Sequence, residues 1–116
     1  MAALLKHMKK WHAGLALLGG LCSALAQAAE PEISVAIKNH RFEPSEIRVD
    51  ANQRVRLTVH NLDSTPEEFE SHKLNREKVI APGAKAVIFI GPLKPGRYEF
   101  WGEYHEDTAK GVVVAE

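Results

Sequence analysis

Three groups of oxygen- and nitrogen-bearing side chains in this sequence could bind a metal ion. The first lies in segment 67–72, where Glu68 and Glu70 flank Phe69. Alternate residues of a β-strand share a face, so the two carboxylates should project together with His72 while Phe69 points into the core. Carboxylates this close repel one another unless a cation or basic side chains neutralise them.

The other two groups contain imidazoles. Glu103 and His105 belong to an acidic loop, residues 103–107, that follows the aromatic segment 98–101, and His40 lies in the first predicted loop. Imidazole and carboxylate ligands suit Cu(II), iron or manganese. We therefore expect a metal site formed by Glu68, Glu70 and His105, with His40 and Glu103 as further ligands.

Sulfur ligands are missing from the part of the sequence that carries these groups. The whole sequence has three sulfur-bearing residues, which all precede residue 29: Met1, Met8 and Cys22. Cu(I) favours soft sulfur ligands. A metal held here would therefore depend on nitrogen and oxygen alone.

Each candidate ligand also has an ordinary interpretation. Glu68 and Glu70 could lie on a solvated strand face and pair with Lys73 or Arg76, and the histidines could be surface loop residues. Metal ligands must converge, so an approach of His105 and Glu68 to within about 6 Å would favour the metal site. Without convergence, the domain would be an interaction module that has lost its metal.

The apolar pattern shows which elements must position these residues. Apolar side chains alternate with polar ones in segments 33–37, 55–59 and 87–89, and a further apolar run covers residues 111–114. Turn residues rich in Pro, Gly, Asn and Asp separate the segments. This pattern predicts an all-β fold of about seven short strands in a Greek-key β-sandwich.

Residues 1–28 have the pattern of a signal peptide. Lysines near the start precede the apolar stretch 13–25, which is too short to span a bilayer, and Ala26-Gln27-Ala28 matches an A-x-A cleavage site. We expect cleavage before Ala29 and export to the periplasm, although an uncleaved membrane anchor is the alternative. The domain is then residues 29–116, with no membrane insertion of the mature chain.

The charge balance excludes some classes of partner. Residues 1–28 hold three of the fifteen Lys and Arg and none of the fifteen Asp and Glu, so twelve basic against fifteen acidic side chains leave −3 on the domain. A mildly acidic domain without a basic patch is not expected to bind nucleic acid or anionic lipid. Its charge suits a cation or a basic partner.

Four segments together resemble the cupredoxin family over nearly the whole domain. They are residues 65–70, 80–83, 93–100 and 111–114, which include Glu-Phe-Glu, Ala-Pro-Gly, Pro-Gly-Arg-Tyr and Gly-Val-Val-Val. The Glu-Phe-Glu and Ala-Pro-Gly motifs are most similar to the cupredoxin-like domain of EfeO-type iron-uptake proteins and to the small cupredoxin of Ftr-type ferrous-iron systems. The resemblance implies a cupredoxin-like β-sandwich.

The sequence departs from the blue-copper pattern of ordinary cupredoxins. In that pattern a Cys-x-x-His motif precedes a Met, and here Gly102, His105 and Ala109 stand at these three positions. The upstream His position falls within residues 66–68, Pro-Glu-Glu. Only one of the four blue-copper ligands is retained, so a blue electron carrier is excluded.

The resemblance also implies where metal would bind. In the EfeO-like branch, acidic residues of the Glu-x-Glu strand are implicated in metal binding, and these match Glu68 and Glu70. That branch also uses cysteines, which would fall near Phe42 and Gly102. We expect His40 and His105 to substitute for them.

The expected function is that of a periplasmic metal-binding protein of ferrous-iron uptake. The cofactor would be copper, iron or both, and the partner a membrane iron permease or another periplasmic uptake component. Ferroxidase activity is what the resemblance implies, and a metal chaperone without turnover would have the same sequence features. The alternative is the metal-free interaction module, which would dock a permease or another periplasmic protein.

Signal-peptide cleavage is directly testable. Intact-mass analysis of a periplasmic extract should show a mature protein that begins at Ala29 or within a residue or two of it, because the A-x-A site lies just before that residue. Recovery of the protein from membranes with Met1 retained would instead establish an anchored domain.

Overall fold

The computed structural model describes residues 30–116, which form nine β-strands and one short 3₁₀ turn. The strands are β1 (Glu32–Lys38), β2 (Arg41–Glu43), β3 (Glu46–Val49), β4 (Val55–Asn61), β5 (Glu67–Ser71), β6 (Arg76–Ile80), β7 (Lys85–Ile90), β8 (Gly96–Gly102) and β9 (Lys110–Ala115). The 3₁₀ turn spans Glu103–His105. The predicted signal peptide lies outside the described residues. Among residues 30–116, no helix is long and apolar enough to cross a membrane.

The strands form two mixed sheets. One sheet has the order β2-β1-β4-β7 and the other the order β3-β9-β8-β5-β6. Strands β1 and β4 pair in parallel, as do β3 and β9, and the remaining pairs are antiparallel. The predicted all-β sandwich is therefore confirmed.

The alternating segments form strands with one face buried. In β4, Val55, Leu57 and Val59 are buried, while the residues between them are more exposed. Nine strands are present in residues 30–116 rather than about seven. Strands β2 and β6 each bury a single apolar residue, Phe42 and Ile80, so neither has an alternation that sequence could reveal.

Three phenylalanine rings pack together in the core. The rings of Phe69 and Phe100 stack with centroids 4.9 Å apart, and Phe42 packs edge-on against both. All three side chains are buried. Strand β5 carries Glu67 next to Phe69, and strand β8 carries Phe100 just before the 3₁₀ turn that contains His105. Packing of the rings therefore helps to fix the positions of Glu67 and His105.

The packing of Phe100 depends on Gly111, its partner on β9. A Cβ atom at Gly111 would lie 2.2 Å from Cζ of Phe100. Because Phe100 is 1% exposed, the ring has no free space into which to move.

We predict that Gly111→Ala lowers the free energy of unfolding by about 1–3 kcal/mol, since overpacking forces buried side chains out of their preferred positions. Gly96→Ala is the matched control on the neighbouring strand, where the added Cβ would meet Tyr98 at an ordinary 3.6 Å. Urea denaturation of both variants measures the difference. Equal stability of the two variants would contradict this packing.

Candidate metal centre

The carboxylate of Glu67 lies at the centre of the loop end of the sandwich. Glu67 begins β5 on the same face as Phe69, and it is 1% exposed. Its Oε1 accepts hydrogen bonds from the backbone N–H groups of Glu68 and Tyr104, each at 3.0 Å. Its Oε2 lies 2.5 Å from Nδ1 of His105. These contacts compensate the cost of burying a carboxylate.

Glu67 occupies space that a side chain at position 102 would need. A Cβ atom on Gly102 would lie 2.6 Å from Cδ of Glu67 and 2.6 Å from Cβ of Ala109. Ala109 is fully buried, and its carbonyl accepts a hydrogen bond from the Gly102 N–H at 2.8 Å. The glycine at this position is therefore what admits the glutamate.

His40 approaches the same place from the β1–β2 hairpin. Asn39 and His40 form its two-residue turn, with φ angles of 52° and 58°, as a type I′ turn requires. The imidazoles of His40 and His105 stack with centroids 3.6 Å apart and planes inclined by 14°. Residues 65 positions apart in sequence thus meet through their rings.

His40, Glu67 and His105 can each offer one ligand atom such that all three atoms lie within 4.8 Å of one another. The set comprises two imidazole nitrogens and one carboxylate oxygen, which suits Cu(II) or iron. Nδ1 of His40 is buried and has no hydrogen-bond partner among the described residues. The donor types and this unpartnered nitrogen fit a metal ion.

The carboxyl of Asp63 lies beside His40. Burial opposes its ionisation, but hydrogen bonds from the backbone N–H groups of His40 and Asn39, together with the nearby imidazoles of His40 and His105, outweigh it. The net effect holds the pKa of Asp63 below its usual value. A negative charge is therefore maintained next to the two histidines.

Glu68 and Glu70 form a separate cluster with Glu77, again with three oxygens within 4.8 Å. Glu70 faces Glu77 directly across the β5–β6 pair. Hydrogen bonding with Glu77, then desolvation, and then the charges of Glu77 and Glu70 raise the pKa of Glu68 to about 7. Burial and the neighbouring Glu68 also raise the pKa of Tyr104.

The basic residues considered as partners for these glutamates point elsewhere. Lys73 donates to the carbonyl of Arg97, and Arg76 donates to the carbonyls of Phe89, Leu74 and Asn75. The closest basic contact of Glu70 within residues 30–116 is His72, whose Nε2 lies 3.7 Å from it. The simple interpretation as a solvated face paired with Lys73 or Arg76 is wrong.

The five predicted ligands are thus distributed over three places. His40 and His105 converge, Glu68 and Glu70 belong to the carboxylate cluster, and Glu103 accepts a hydrogen bond from the Trp101 indole at 2.9 Å. His40 and His105 group with Glu67, whereas Glu68 and Glu70 group with Glu77.

Sequence reasoning missed Glu67 as a candidate ligand. Strand alternation assigns it the inward face of Phe69, where a carboxylate is unexpected. The signal that could have found it is its position, since the upstream histidine of the blue-copper pattern falls within residues 66–68. Glu67 is therefore a candidate ligand at the position of that histidine.

Comparisons with known proteins agree with this architecture. The family model of the cupredoxin-like domain matches residues 12–115. The uncharacterized protein RP394 of Rickettsia prowazekii (strain Madrid E) is 46% identical over 83 residues, which are 72% of this chain. The match covers 66% of that relative, so the chain spans slightly less than two thirds of its length.

Two solved structures have a similar fold. Auracyanin A, a "blue" copper protein from Chloroflexus aurantiacus, superposes with a TM-score of 0.67 at 13% identity, covering 76% of this chain and 100% of its own. The metal-binding domain of the Cu(I)-exporting P-type ATPase CopA of Streptococcus pneumoniae D39, with Cu(I), superposes with a TM-score of 0.63 at 18% identity. That match covers 73% of this chain and 84% of the other.

At these identities the likeness concerns the fold alone. With the family match over residues 12–115, the nine-stranded sandwich establishes that this chain belongs to the cupredoxin-like domain family.

Proposed function

We propose that this protein is a periplasmic metal-binding component of ferrous-iron uptake that binds Cu(II) or iron through His40, Glu67 and His105. The observation that carries the metal-binding part is the convergence of these three side chains, whose ligand atoms lie within 4.8 Å of one another. The role in iron uptake is supported by the resemblance of the sequence to the iron-uptake branch of the family. The signal-peptide pattern of residues 1–28 supports the periplasmic compartment.

The donor set determines the chemistry of the bound metal. Two imidazoles and a carboxylate stabilise Cu(II) or an iron ion, which supplies Lewis acidity and a one-electron redox couple when bound. Gly102 and Ala109 stand at the positions of the blue-copper Cys and Met, so neither sulfur ligand is available. A binding or slow oxidising role is therefore favoured over rapid electron transfer.

Access to the centre is through the histidines. The side chain of Glu67 is 1% exposed, whereas the side chains of His105 and His40 are 26% and 42% exposed. The buried carboxylate is fixed by two backbone N–H groups, so it forms a rigid base for the site. A metal ion can reach the imidazoles from solvent or from a partner protein.

The carboxylate cluster of Glu68, Glu70 and Glu77 supports the iron part of the proposal. Its three ligands are oxygens only, which hard cations prefer over the mixed imidazole set. The resemblance to the EfeO-like branch independently implicates Glu68 and Glu70. Tyr104 is coupled to both groups, since its N–H donates to Glu67 while burial and the charge of Glu68 raise the pKa of its phenol. Iron as a substrate would thus lie close to the histidine centre.

The alternative function is a docking module without metal. Leu62 and Tyr104 are 51% and 48% exposed, and both lie at the loop end. Exposed apolar side chains such as these could contact a permease or another periplasmic protein. The metal titrations below separate this alternative from the proposal.

With one equivalent of Cu(II), the mature protein should bind copper and show only weak ligand-field absorption. The reason is that an intense blue band needs a thiolate, and nitrogen and oxygen ligands do not provide it. Visible absorption spectroscopy during a copper titration is the measurement. An intense blue band would contradict the proposed ligand set.

Removal of a single ligand should weaken Cu(II) binding strongly. We expect Glu67→Gln, His105→Ala and His40→Ala each to lower the affinity at least about tenfold, or roughly 1.4 kcal/mol. Isothermal titration calorimetry with Cu(II) measures the affinity of each variant. The control is His60→Ala, because His60 lies on β4 and contacts the Gly83 carbonyl instead.

Parallel titrations with Cu(II) and with iron test the role of the carboxylate cluster. Glu68→Gln and Glu70→Gln should weaken iron binding while leaving Cu(II) affinity nearly unchanged. The rate of Fe(II) oxidation under air, with dioxygen as electron acceptor, tests the ferroxidase part. Unchanged affinities for both metals in all five variants would reject the metal-binding proposal and favour the docking module.

A further inference from the structure

His40 has a backbone conformation that is uncommon for residues other than glycine. Its φ of 58° lies in the left-handed region, which Gly and Asn adopt most readily, and Asn39 before it has a φ of 52°. A hairpin turn alone would not favour histidine at this position. The conformation is nevertheless what turns the imidazole toward His105.

One carboxylate holds both residues of this turn. Oδ1 of Asp63 accepts the N–H of Asn39 at 2.8 Å, and Oδ2 accepts the N–H of His40 at 2.9 Å. The same Oδ2 lies 3.4 Å from Nδ1 of His40. Asp63 therefore contacts both the backbone and the ring of a proposed ligand.

Asp63 is itself anchored in the core. Its backbone N–H donates to Oδ1 of Asn61 at 3.0 Å, and Asn61 is fully buried at the end of β4. Nδ2 of Asn61 donates to the carbonyls of Thr65 and Ile80. The position of the carboxylate is thus set by the sandwich and not by the hairpin that it holds.

A second contact holds the turn from the opposite loop. The hydroxyl of Thr108 donates to the carbonyl of His40 at 2.6 Å, and the N–H of Thr108 donates to the carbonyl of His105 at 3.2 Å. The loop that carries His105 therefore also fixes the backbone of His40.

We propose that Asp63 is a positioning residue of the metal centre: together with Thr108 it holds His40 in the left-handed conformation that stacks its imidazole on His105 and directs it to the metal. This inference rests on the proposed function for the metal itself. The positioning of the imidazole is a property of the metal-free protein, so it can be measured separately.

The first experiment needs no metal. Stacked imidazoles shift one another's ring-proton resonances, so NMR of metal-free wild type and Asp63→Ala reports the arrangement of His40 and His105. We expect the mutual shifts to be lost in Asp63→Ala. Asp63→Asn retains one acceptor oxygen and should give a partial loss. Thr108→Val, which removes only the hydroxyl, provides a second variant if Asp63→Ala does not fold.

The second experiment is a double-mutant cycle with Cu(II). Asp63→Ala should lower affinity at least about tenfold, as loss of residues that orient a ligand commonly does. In a His40→Ala background the same substitution should have little further effect. The Cu(II) EPR spectrum should lose the coupling of one nitrogen. Asp50→Ala, at the opposite end of the sandwich, is the charge-matched control.

The outcomes separate the two proposals. Retained ring shifts in Asp63→Ala, or an equal loss of affinity with and without His40, would overturn the positioning role while leaving metal binding intact. Absence of Cu(II) binding by the wild-type protein would overturn the proposed function. The metal-free spectra would then still decide whether Asp63 holds His40 in place.

Discussion

The loop end of this sandwich depends on one buried carboxylate. Glu67 starts β5 inside the core, and its two oxygens contact the backbone of Glu68 and Tyr104 and the ring of His105. Burial of a carboxylate is costly unless such contacts compensate it. Because those contacts connect β5 with the 3₁₀ turn after β8, the carboxylate determines where His105 lies. The ring of His40 stacks on that of His105, while Asp63 and Thr108 hold the backbone of His40.

The same carboxylate explains the departures from the blue-copper pattern as one coordinated change. Gly102 leaves free the space that Glu67 and Ala109 occupy, since a Cβ atom on residue 102 would lie 2.6 Å from Cδ of Glu67 and from Cβ of Ala109. A cysteine at position 102 would clash with Glu67, so the blue-copper thiolate and this glutamate exclude each other. The sandwich is retained, while the side chains at its loop end offer oxygen and nitrogen atoms instead of sulfur.

The sequence predicts the features that arise from local periodicity. Alternation identifies the sandwich, assigns Glu68 and Glu70 to one face and places Phe69 on the other. It cannot show that Glu77 faces Glu70, because strand register is a long-range property. It also cannot show that Asp63 holds a turn 23 and 24 residues earlier, since carboxylates in loops are common and mostly solvated. Sequence periodicity therefore predicts faces, and the tertiary fold decides which residues meet.

The period of a strand also explains why two unlike donor sets lie side by side. Glu67 and Glu68 are consecutive, so one points inward to the imidazoles and the other outward to the carboxylates. Tyr104 is coupled to both, because its backbone N–H donates to Glu67 while burial and the charge of Glu68 raise the pKa of its phenol. The inner set is fixed by backbone hydrogen bonds. In the outer set, the hydrogen bond with Glu77, desolvation and the repulsion of like charges together raise the pKa of Glu68. A cation near the outer set would relieve that repulsion, whereas the inner carboxylate is already compensated without one. The two sets therefore differ both in ligand chemistry and in how much a cation stabilises them.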